Sequence, residues 1–574
     1  MTDTYSPTAE QSEIVVHEGS AFVTACPGAG KTRTMVERAR HVLADRKDRR
    51  GVAFLSFTNA AIDELEMRLR AFGVLPSPLF PSFIGTFDRF LWQFFIAPFG
   101  ITGCDETPRL IPDKADWIVQ PFSGAHALPL SAFDRKTSAL NRRVAADVGF
   151  PPNRDATRHE TCARNILAAA HKRGHVDFED VRECVKERLN DKGFAKRLGQ
   201  ALAARFREIV VDEAQDCNPS DLDIVQWLRD SGLIVKVICD PNQSIYQFRG
   251  GVTDELTAFA RRFSASDRLP MSGNFRSTPA ICSAIVALRP PLLRDHPDDA
   301  LGQYKNDTTP VHILSYGGTG VPATIGMKFT ELAKSLGILL ENAPVLASTL
   351  ASAAKAIGRP TLGPTEHMTL MLAQAATNYH FSFGVGNRRE ALVGLHKTIL
   401  LIQGHIDATG DYHSYVVANG LEDGRWRPRI IEIAAALRFD AGMDAAQWLD
   451  SARTLLAPGL SGTSTIGQRL RSSSDLATAL ATPPAESHPA RTIHSAKGLE
   501  FPAVCVVLTS QKTGDILSHL EGTGGENSAE DARKIYVAAS RAQRLLVIAI
   551  PKSRSPRLQS LLAGCGCPIV AHVL

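Results

Sequence analysis

Short apolar runs alternate with stretches of helical spacing at the start of the chain. Ala21 to Ala25 predicts a strand, and after a glycine-rich loop the pattern predicts a helix through Arg38 to Asp45. Val52 to Phe57 predicts a second strand, and Ala60 to Ala71 predicts a second helix. Strands that alternate with helices favour a parallel sheet covered by helices on its faces.

The same alternation returns later in the chain, and two helix-rich stretches interrupt it. The later strands are predicted at Glu208 to Val211, Ile234 to Cys239, Val311 to Ser315, Pro344 to Ala347, Val504 to Leu508 and Leu545 to Ile550. Helical spacing dominates Ala163 to His171, Asp180 to Leu189 and most of Ala353 to Leu480. The pattern therefore predicts an α/β protein with two cores, each carrying a mainly helical insertion.

The predicted boundaries follow these changes of pattern. They are 1–102 and 205–268 for the first core, 103–204 for its insertion, 269–352 and 487–574 for the second core, and 353–486 for the second insertion.

Composition narrows the class of protein without identifying a partner. The 574 residues are 44% hydrophobic and 22% charged, as in ordinary soluble globular proteins, and the net charge of +4 neither requires nor excludes a nucleic-acid partner. The ten cysteines include no CxxC pair, which favours free thiols and a cytoplasmic location. A polar N-terminus and the lack of an eighteen-residue apolar window predict neither a signal peptide nor a membrane partner.

The glycine-rich loop "TACPGAGKT" lies between a predicted strand and a predicted helix. This is the context that a phosphate-binding loop requires, although Ala25 stands where such loops usually have glycine. Lys31 is expected to reach the β and γ phosphates of ATP, and Thr32 is expected to bind Mg²⁺. The loop residues predicted to contact the nucleotide are Ala25, Gly28, Ala29, Gly30, Lys31 and Thr32.

Two adjacent carboxylates, Asp212 and Glu213, directly follow the apolar run Ile209 to Val211. Because the carboxyl ends of parallel strands meet at one edge, this pair is expected beside the phosphate loop. Asp212 would then share Mg²⁺ with Thr32, and Glu213 would act as the general base toward the attacking water. The alternative is a solvated acidic turn, which the all-apolar strand disfavours.

Further motifs occur in one order along the chain. They are Gln11 in "SPTAEQSEIV", "FLSFTNAAIDEL" (54–65), "GTFDRF" (85–90), "DEAQD" (212–216), "CDPNQSIYQFRGG" (239–251), "GNFRST" (273–278), "TIHSAKGLEF" (492–501) and "KIYVAASRAQRLLVI" (534–548). In these motifs and in their order, the chain resembles the UvrD/Rep-like superfamily 1 DNA helicases. The resemblance implies two RecA-like P-loop NTPase cores that use ATP and Mg²⁺ and move 3′ to 5′ on single-stranded DNA.

The resemblance also implies roles at the nucleotide. Gln11 would contact adenine, Phe275 and Arg33 would stack on its two faces, and Glu500 would contact the ribose. Phe275 replaces the family's usual tyrosine and keeps an aromatic face.

For catalysis, the resemblance implies three further residues. Gln243 would bond the γ-phosphate, and Arg276 and Arg541 resemble the arginine fingers that neutralise charge in the transition state.

Residues of four motifs are implied to contact single-stranded or tailed duplex DNA. They are Phe57, Thr58, Asn59, Thr86, Phe87, Tyr246, Phe248, Arg249, His494 and Ser495. Aromatic faces would stack on bases and the polar groups would contact phosphates or sugars. The alternative for a single aromatic residue is packing in the core. Asp88 stands where the family usually has histidine, and a carboxylate is unfavourable beside a phosphate.

The stretch between Arg276 and Thr492 is short for the family, so the second insertion is expected to be reduced. In this and in the segment Phe83 to Gly100, the chain resembles the helicase-like B subunit of Gabija anti-phage systems. That resemblance implies an OLD-family nuclease as partner. Three functions stay open: an autonomous motor in DNA repair, a DNA-sensing NTPase subunit in defence, and a non-catalytic DNA scaffold. The intact set of catalytic residues argues against the scaffold.

Overall fold

The computed structural model describes residues 6–44, 47–57, 59–73, 79–111, 114–115, 117–245, 253–318, 320–358, 365–385, 388–407, 412–421, 424–440, 443–480, 488–525 and 528–574.

The strands are numbered in chain order over these residues. They are β1 Ala21–Ala25, β2 Gly51–Ser56, β3 Phe83–Thr86, β4 Arg109–Leu110, β5 Ile118–Val119, β6 Leu128–Pro129, β7 His175–Val176, β8 Phe206–Val211, β9 Ile234–Cys239, β10 Arg268–Met271, β11 Gly273–Asn274, β12 Asp299–Ala300, β13 Val311–Tyr316, β14 Val345–Ala347, β15 Ala490–Thr492, β16 Phe501–Val507, β17 Ala542–Pro551 and β18 Ile569–Val573.

The α-helices are numbered in the same way. They are α1 Ala9–Val16, α2 Lys31–Leu43, α3 Asn59–Ala71, α4 Phe87–Leu91, α5 Arg142–Asp147, α6 Thr157–Lys172, α7 Phe178–Asn190, α8 Lys192–Arg205, α9 Pro219–Asp230, α10 Thr253–Ala260, α11 Pro279–Ala287, α12 Thr324–Ser335, α13 Leu350–Ala356, α14 Met368–Val385, α15 Arg388–Gln403, α16 Tyr412–Ala418, α17 Arg427–Ala436, α18 Ala445–Leu456, α19 Ile466–Arg469, α20 Leu476–Leu480, α21 Thr513–Leu520, α22 Ala529–Ala539 and α23 Ser555–Gly564.

Six parallel strands form the sheet of the first core, in the order β10-β1-β9-β8-β2-β3. Its strands are apolar on both faces because helices cover both sides; Ile209, Val210 and Val211 of β8 are all buried. Since the strands run parallel, the carboxyl ends of β1, β8 and β9 lie at one edge of the sheet. This confirms the fold class and places the predicted phosphate loop and acidic pair at the same edge.

The second core is built on another six-stranded parallel sheet, in the order β15-β14-β16-β17-β13-β18. Its central strands β16 and β17 are buried over most of their length. The buried apolar side chains on one face include Ile285 of α11, Val504 of β16 and Ile548 of β17. The prediction of two α/β cores is therefore confirmed.

The chain divides into two compact units. One comprises Met1–Phe90, Leu189–Thr361 and Pro483–Leu574 and contains both six-stranded sheets. The other comprises Leu91–Arg188 and Leu362–Thr482. Its second stretch packs α14, α15, α17, α18, α19 and α20 around apolar side chains such as the fully buried Trp448.

Two of the predicted boundaries fall within elements that pack on the first core. The second core was expected to start at 269, but β10 pairs with β1 and buries Leu269 and Met271 in the first core. The first insertion was expected to extend to 204, but α8 packs on the first core. A Cβ at Gly199 of α8 would come within 2.7 Å of the Ser231 hydroxyl oxygen, just beyond α9. Amphipathic helices look alike in sequence whether they belong to an insertion or to a core.

All ten cysteines are free, as expected. Over the described ranges, no helix is long and apolar enough to cross a membrane.

Candidate active site

The phosphate loop joins β1 to α2 through two glycines with left-handed backbones. Gly28 has φ of 73° and Gly30, which precedes the first residue of α2, has φ of 75°. A Cβ at Gly28 would lie 2.5 Å from Oδ1 of Asn274, so no larger residue fits. No side chain caps the start of α2, which leaves its first N–H groups directed at the cavity that the loop borders.

Gln11 is held against this loop by the helix that carries it. It forms a capping box with Thr8 at the start of α1, and its Nε2 donates to the carbonyl of Ala29 at 2.9 Å. The side chain is buried and borders the same cavity as the loop. A base bound beside Ala29 would therefore lie next to an amide that can donate and accept.

Lys31 and Glu213 form an ion pair at the centre of the site. Nζ of Lys31 donates to Oε1 of Glu213 at 2.8 Å. Burial opposes the charge on Lys31, but Glu213 and Asp212 outweigh it and raise the lysine's pKa. Burial likewise opposes the charge on Glu213, but Lys31 and Lys497 lower its pKa to about 2. Both groups are therefore charged, and Glu213 is in the form that accepts a proton.

The backbone of Glu213 is strained. Its φ of 55° and ψ of 38° lie in the left-handed region, which residues other than glycine seldom occupy. The side chain is fixed on both oxygens, because Gln215 donates to Oε2 while Lys31 occupies Oε1. Strain of this kind persists where the surroundings impose it, commonly at functional sites.

Asp212 ends β8 and offers a buried acceptor. Its N–H donates to the carbonyl of Leu55 on β2 at 2.8 Å, while its Oδ1 is buried and accepts no hydrogen bond. Burial, followed by the charge of Glu213, raises the pKa of Asp212 to about 7. An unsatisfied buried carboxylate oxygen fits a Mg²⁺ ion, and Thr32 in the first turn of α2 supplies the second expected ligand.

Gln243 and Arg541 connect the two cores. Gln243 lies in a single 3₁₀ turn, Pro241–Gln243, after β9, and its Oε1 accepts a hydrogen bond from Nη2 of Arg541 at 2.6 Å. Arg541 is buried, which lowers its pKa to about 10, with the charge of Arg276 adding to the effect. A guanidinium group at that pKa is charged at neutral pH.

Arg276 of the second core also borders the cavity. Its Nη1 donates to the carbonyl of Ser540 at 2.8 Å and its Nη2 donates to Glu500. The preceding residue, Phe275, is bound to the phosphate loop, because its N–H donates to the carbonyl of Gly28 at 2.9 Å.

A cavity of about 450 Å³ contains nearly all of the predicted nucleotide-site residues. It is bordered by Gln11, Gly28, Ala29, Gly30, Lys31, Thr32, Arg33, Asp212, Glu213, Gln243, Phe275, Arg276, Glu500 and Arg541. Ala25 is the exception: it ends β1 and is buried, and the next residue, Cys26, borders the cavity instead.

Four charged residues that border the cavity are not among the predicted site residues: Glu64, Arg68, Asp216 and Lys497. Lys497 bonds both oxygens of Asp216 at 2.6 and 2.7 Å, and both side chains are nearly inaccessible to solvent. Lys497 lies in the motif "TIHSAKGLEF", so the motif could have indicated it. Arg68, paired with Glu64 on α3 at 2.6 Å, also borders the cavity, and no motif marks it.

The residues implied to bind DNA are only partly described. Thr58, Tyr246, Phe248 and Arg249 lie outside the described residues, as does the side chain of Asn59.

Phe57 is partly exposed and stacks on Phe87, with ring centroids 5.5 Å apart. Phe87 itself has no exposed surface, so it cannot stack on a base in this structure and instead supports Phe57.

The polar residues implied to contact DNA already bond within the protein. Thr86 Oγ1 accepts from the N–H of Arg89, and the Ser495 hydroxyl donates to the carbonyl of Thr492 at 2.8 Å. Nε2 of His494 lies 3.3 Å from the carbonyl of Ile245.

The chain matches two family models. Residues 7–98 and 131–264 match the UvrD/REP helicase N-terminal domain, and residues 480–553 match the UvrD-like helicase C-terminal domain. Together the matches cover just over half of the chain.

Among curated proteins, the chain is similar to named helicases at low identity. It is 27% identical to the ATP-dependent DNA helicase UvrD1 of Mycobacterium tuberculosis over 48% of this chain and 38% of that protein. It is 24% identical to DNA helicase II of Haemophilus influenzae over 56% of this chain and 44% of that protein. With UvrD2 of Mycobacterium tuberculosis it shares 24% identity over 95% of this chain and 79% of that protein. The chain thus covers about two fifths of the length of UvrD1 and of DNA helicase II.

Proposed function

The chain belongs to the UvrD/REP-like helicase family, and from that premise we propose that it is a DNA-dependent ATPase that moves 3′ to 5′ along single-stranded DNA. One observation carries the proposal. A single cavity collects Lys31 and Glu213 from the first core and Arg276 and Arg541 from the second. These are the groups that phosphoryl transfer to water needs on opposite sides of a phosphate.

Each of these residues has a separate role in the hydrolysis of ATP. Glu213 accepts the proton of the water that attacks the γ-phosphorus, and Lys31 leaves Glu213 to bind the β and γ oxygens. Arg276 and Arg541 neutralise the charge that develops on the transferred group. Mg²⁺ bound by Thr32 and Asp212 would neutralise charge on the β and γ oxygens.

Movement follows from the position of the site between two sheets. Arg541 of the second core bonds Gln243, which follows β9 of the first core. A γ-phosphate bound by Lys31 of the first core and Arg541 of the second would add a link between the cores. Hydrolysis removes that added link, and the relative motion of the cores is transmitted to the bound strand.

A second candidate is a DNA-end or single-strand sensor that activates a partner nuclease, as in Gabija-type defence. The stretch between Arg276 and Thr492, which is short for the family that the chain resembles, supports it. In this candidate the same site hydrolyses ATP, but little duplex is unwound.

Tailed duplexes distinguish these candidates. ATP turnover and strand separation would be measured with blunt, 3′-tailed and 5′-tailed DNA of one sequence. The proposal predicts turnover and unwinding on the 3′-tailed duplex above the other two. Equal unwinding from the 5′ tail would contradict the direction. Turnover without unwinding, joined to cleavage by a co-purifying nuclease, would favour the sensor.

A further inference from the structure

The segment from Asp240 to Ile245 follows β9 of the first sheet but is anchored to the second core. Ile245 is fully buried among the apolar side chains of the second sheet, together with Ile285 and Val504. Nε of Arg533, on α22, donates to the carbonyl of Ser244 at 2.6 Å. The segment that carries Gln243 is therefore attached to both cores.

Tyr536 makes the central contact of this anchor. Its hydroxyl donates to Oδ2 of Asp240 at 3.1 Å, and both residues are about 1% exposed. Burial, and then the charge of Asp240, raise the pKa of the tyrosine well above its ordinary value, so the hydroxyl keeps its proton and remains a donor.

Asp240 in turn orients Gln243. The same Oδ2 accepts a hydrogen bond from Nε2 of Gln243 at 2.9 Å, while Oδ1 accepts from the N–H of Asn242 at 3.0 Å. A guanidinium group has no acceptor, so the atom of Gln243 that faces Arg541 must be the amide oxygen. The Asp240 carboxylate fixes this orientation of the Gln243 amide, because a carboxylate can only accept hydrogen bonds and therefore faces the amide nitrogen.

A chain of hydrogen bonds therefore runs from Tyr536 through Asp240 and Gln243 to Arg541. Arg289, which pairs with Asp298, also lies beside the tyrosine, with its guanidinium carbon 5.9 Å from the centre of the Tyr536 ring. Arg541 also donates to the carbonyl of Val537 and to the Ser540 hydroxyl, so the tyrosine hydroxyl acts on this pair only through Asp240 and Gln243.

We infer that Tyr536 is a positioning residue. Its hydroxyl holds Asp240, which orients Gln243 so that Gln243 and Arg541 can both contact the γ-phosphate. The inference rests on the proposed ATPase function. Because the aligned groups act on the transferring phosphoryl group, loss of the hydroxyl lowers the rate of hydrolysis and leaves ATP binding unchanged.

The test compares two buried tyrosines of the same core. Tyr536→Phe removes the hydroxyl that bonds Asp240. Tyr316→Phe is the matched control, because Tyr316 is also about 1% exposed and donates to the carbonyl of Leu508, away from the cavity. The kcat and KM for ATP would be measured on the full chain with saturating single-stranded oligonucleotide, together with the melting temperature of each variant.

The expected result is a split between kcat and KM. Tyr536→Phe lowers kcat roughly tenfold, the rate equivalent of one buried hydrogen bond, with KM within about twofold of wild type. Tyr316→Phe keeps the wild-type kcat and KM. Its melting temperature falls by about as much as that of Tyr536→Phe, because each variant loses one buried hydrogen bond.

Other outcomes are decisive as well. Equal kcat in the two variants, or a raised KM with unchanged kcat for Tyr536→Phe, overturns the inference while leaving the ATPase proposal intact. A wild-type protein that does not hydrolyse ATP with DNA contradicts the proposed function itself. If Tyr536→Phe does not fold, Asp240→Asn replaces the carboxylate that links the hydroxyl to Gln243 and is expected to lower kcat in the same way; an unchanged kcat in that variant overturns the inference.

Discussion

At the scale of single residues, charged side chains of the site hold one another in place through ion pairs. Glu213 is strained in its backbone and paired with Lys31, and the adjacent Asp212 keeps a buried oxygen that accepts no hydrogen bond. The position of these residues in one site could be predicted because they lie at strand ends and in a phosphate loop of the same sheet. The ion pair between Lys497 and Asp216 could not, since its partners lie in different motifs far apart in the sequence.

Arg541 supplies the first residue-scale prediction. Arg541→Ala removes a buried guanidinium beside Gln243, and with it the positive charge expected to face the γ-phosphate. We expect kcat to fall on the order of 10³-fold while ATP binding is nearly unchanged, because the charge acts mainly on the transition state.

The control for this prediction is Arg544→Ala on β17, the strand that directly follows Arg541. Arg544 pairs with Asp307 at 3.1 Å and does not border the cavity. Steady-state hydrolysis with single-stranded DNA measures both variants. An unchanged kcat in Arg541→Ala would remove its role as an arginine finger.

At the scale of elements, the parallel sheets and the helices that follow their strands were predictable from alternation. Strand β9 has the predicted bounds, and β8 begins two residues before its prediction. The start of the second core was not predictable in the same way. Whether β10 pairs with β1 or begins a new sheet depends on tertiary contacts that the four residues of this strand do not specify.

The phosphate loop supplies the element-scale prediction. Gly28→Ala adds a Cβ 2.5 Å from Oδ1 of Asn274, at a φ of 73°. We expect loss of measurable ATP binding, because either the loop or Asn274 must move. Gly19→Ala is the control: its φ is 87° and nothing lies within 4 Å of the added atom.

Both variants carry the left-handed strain of about 1–2 kcal/mol, but only Gly28→Ala distorts the loop. Binding of a fluorescent ATP analogue and the melting temperature separate the two effects. Equal ATP affinity in Gly28→Ala and Gly19→Ala would show that the loop tolerates the added methyl group.

At the scale of the whole molecule, two parallel sheets within one compact unit contribute to a single cavity. The motifs predicted which residues belong there, because most of them follow the end of a strand in one core. The sequence pattern did not indicate that Ile245, from the segment after β9, would be buried in the second core. That contact depends on how the two cores meet, which no local pattern records.

The central claim is that this cavity hydrolyses ATP in response to DNA. The most direct measurement is ATP turnover by the full chain with and without a single-stranded oligonucleotide, for wild type and for Glu213→Gln. The amide keeps the size of the side chain but cannot accept the proton of the attacking water. We predict turnover that rises with DNA in wild type and is abolished in Glu213→Gln. Equal turnover in the two proteins, or none in wild type, would contradict the account.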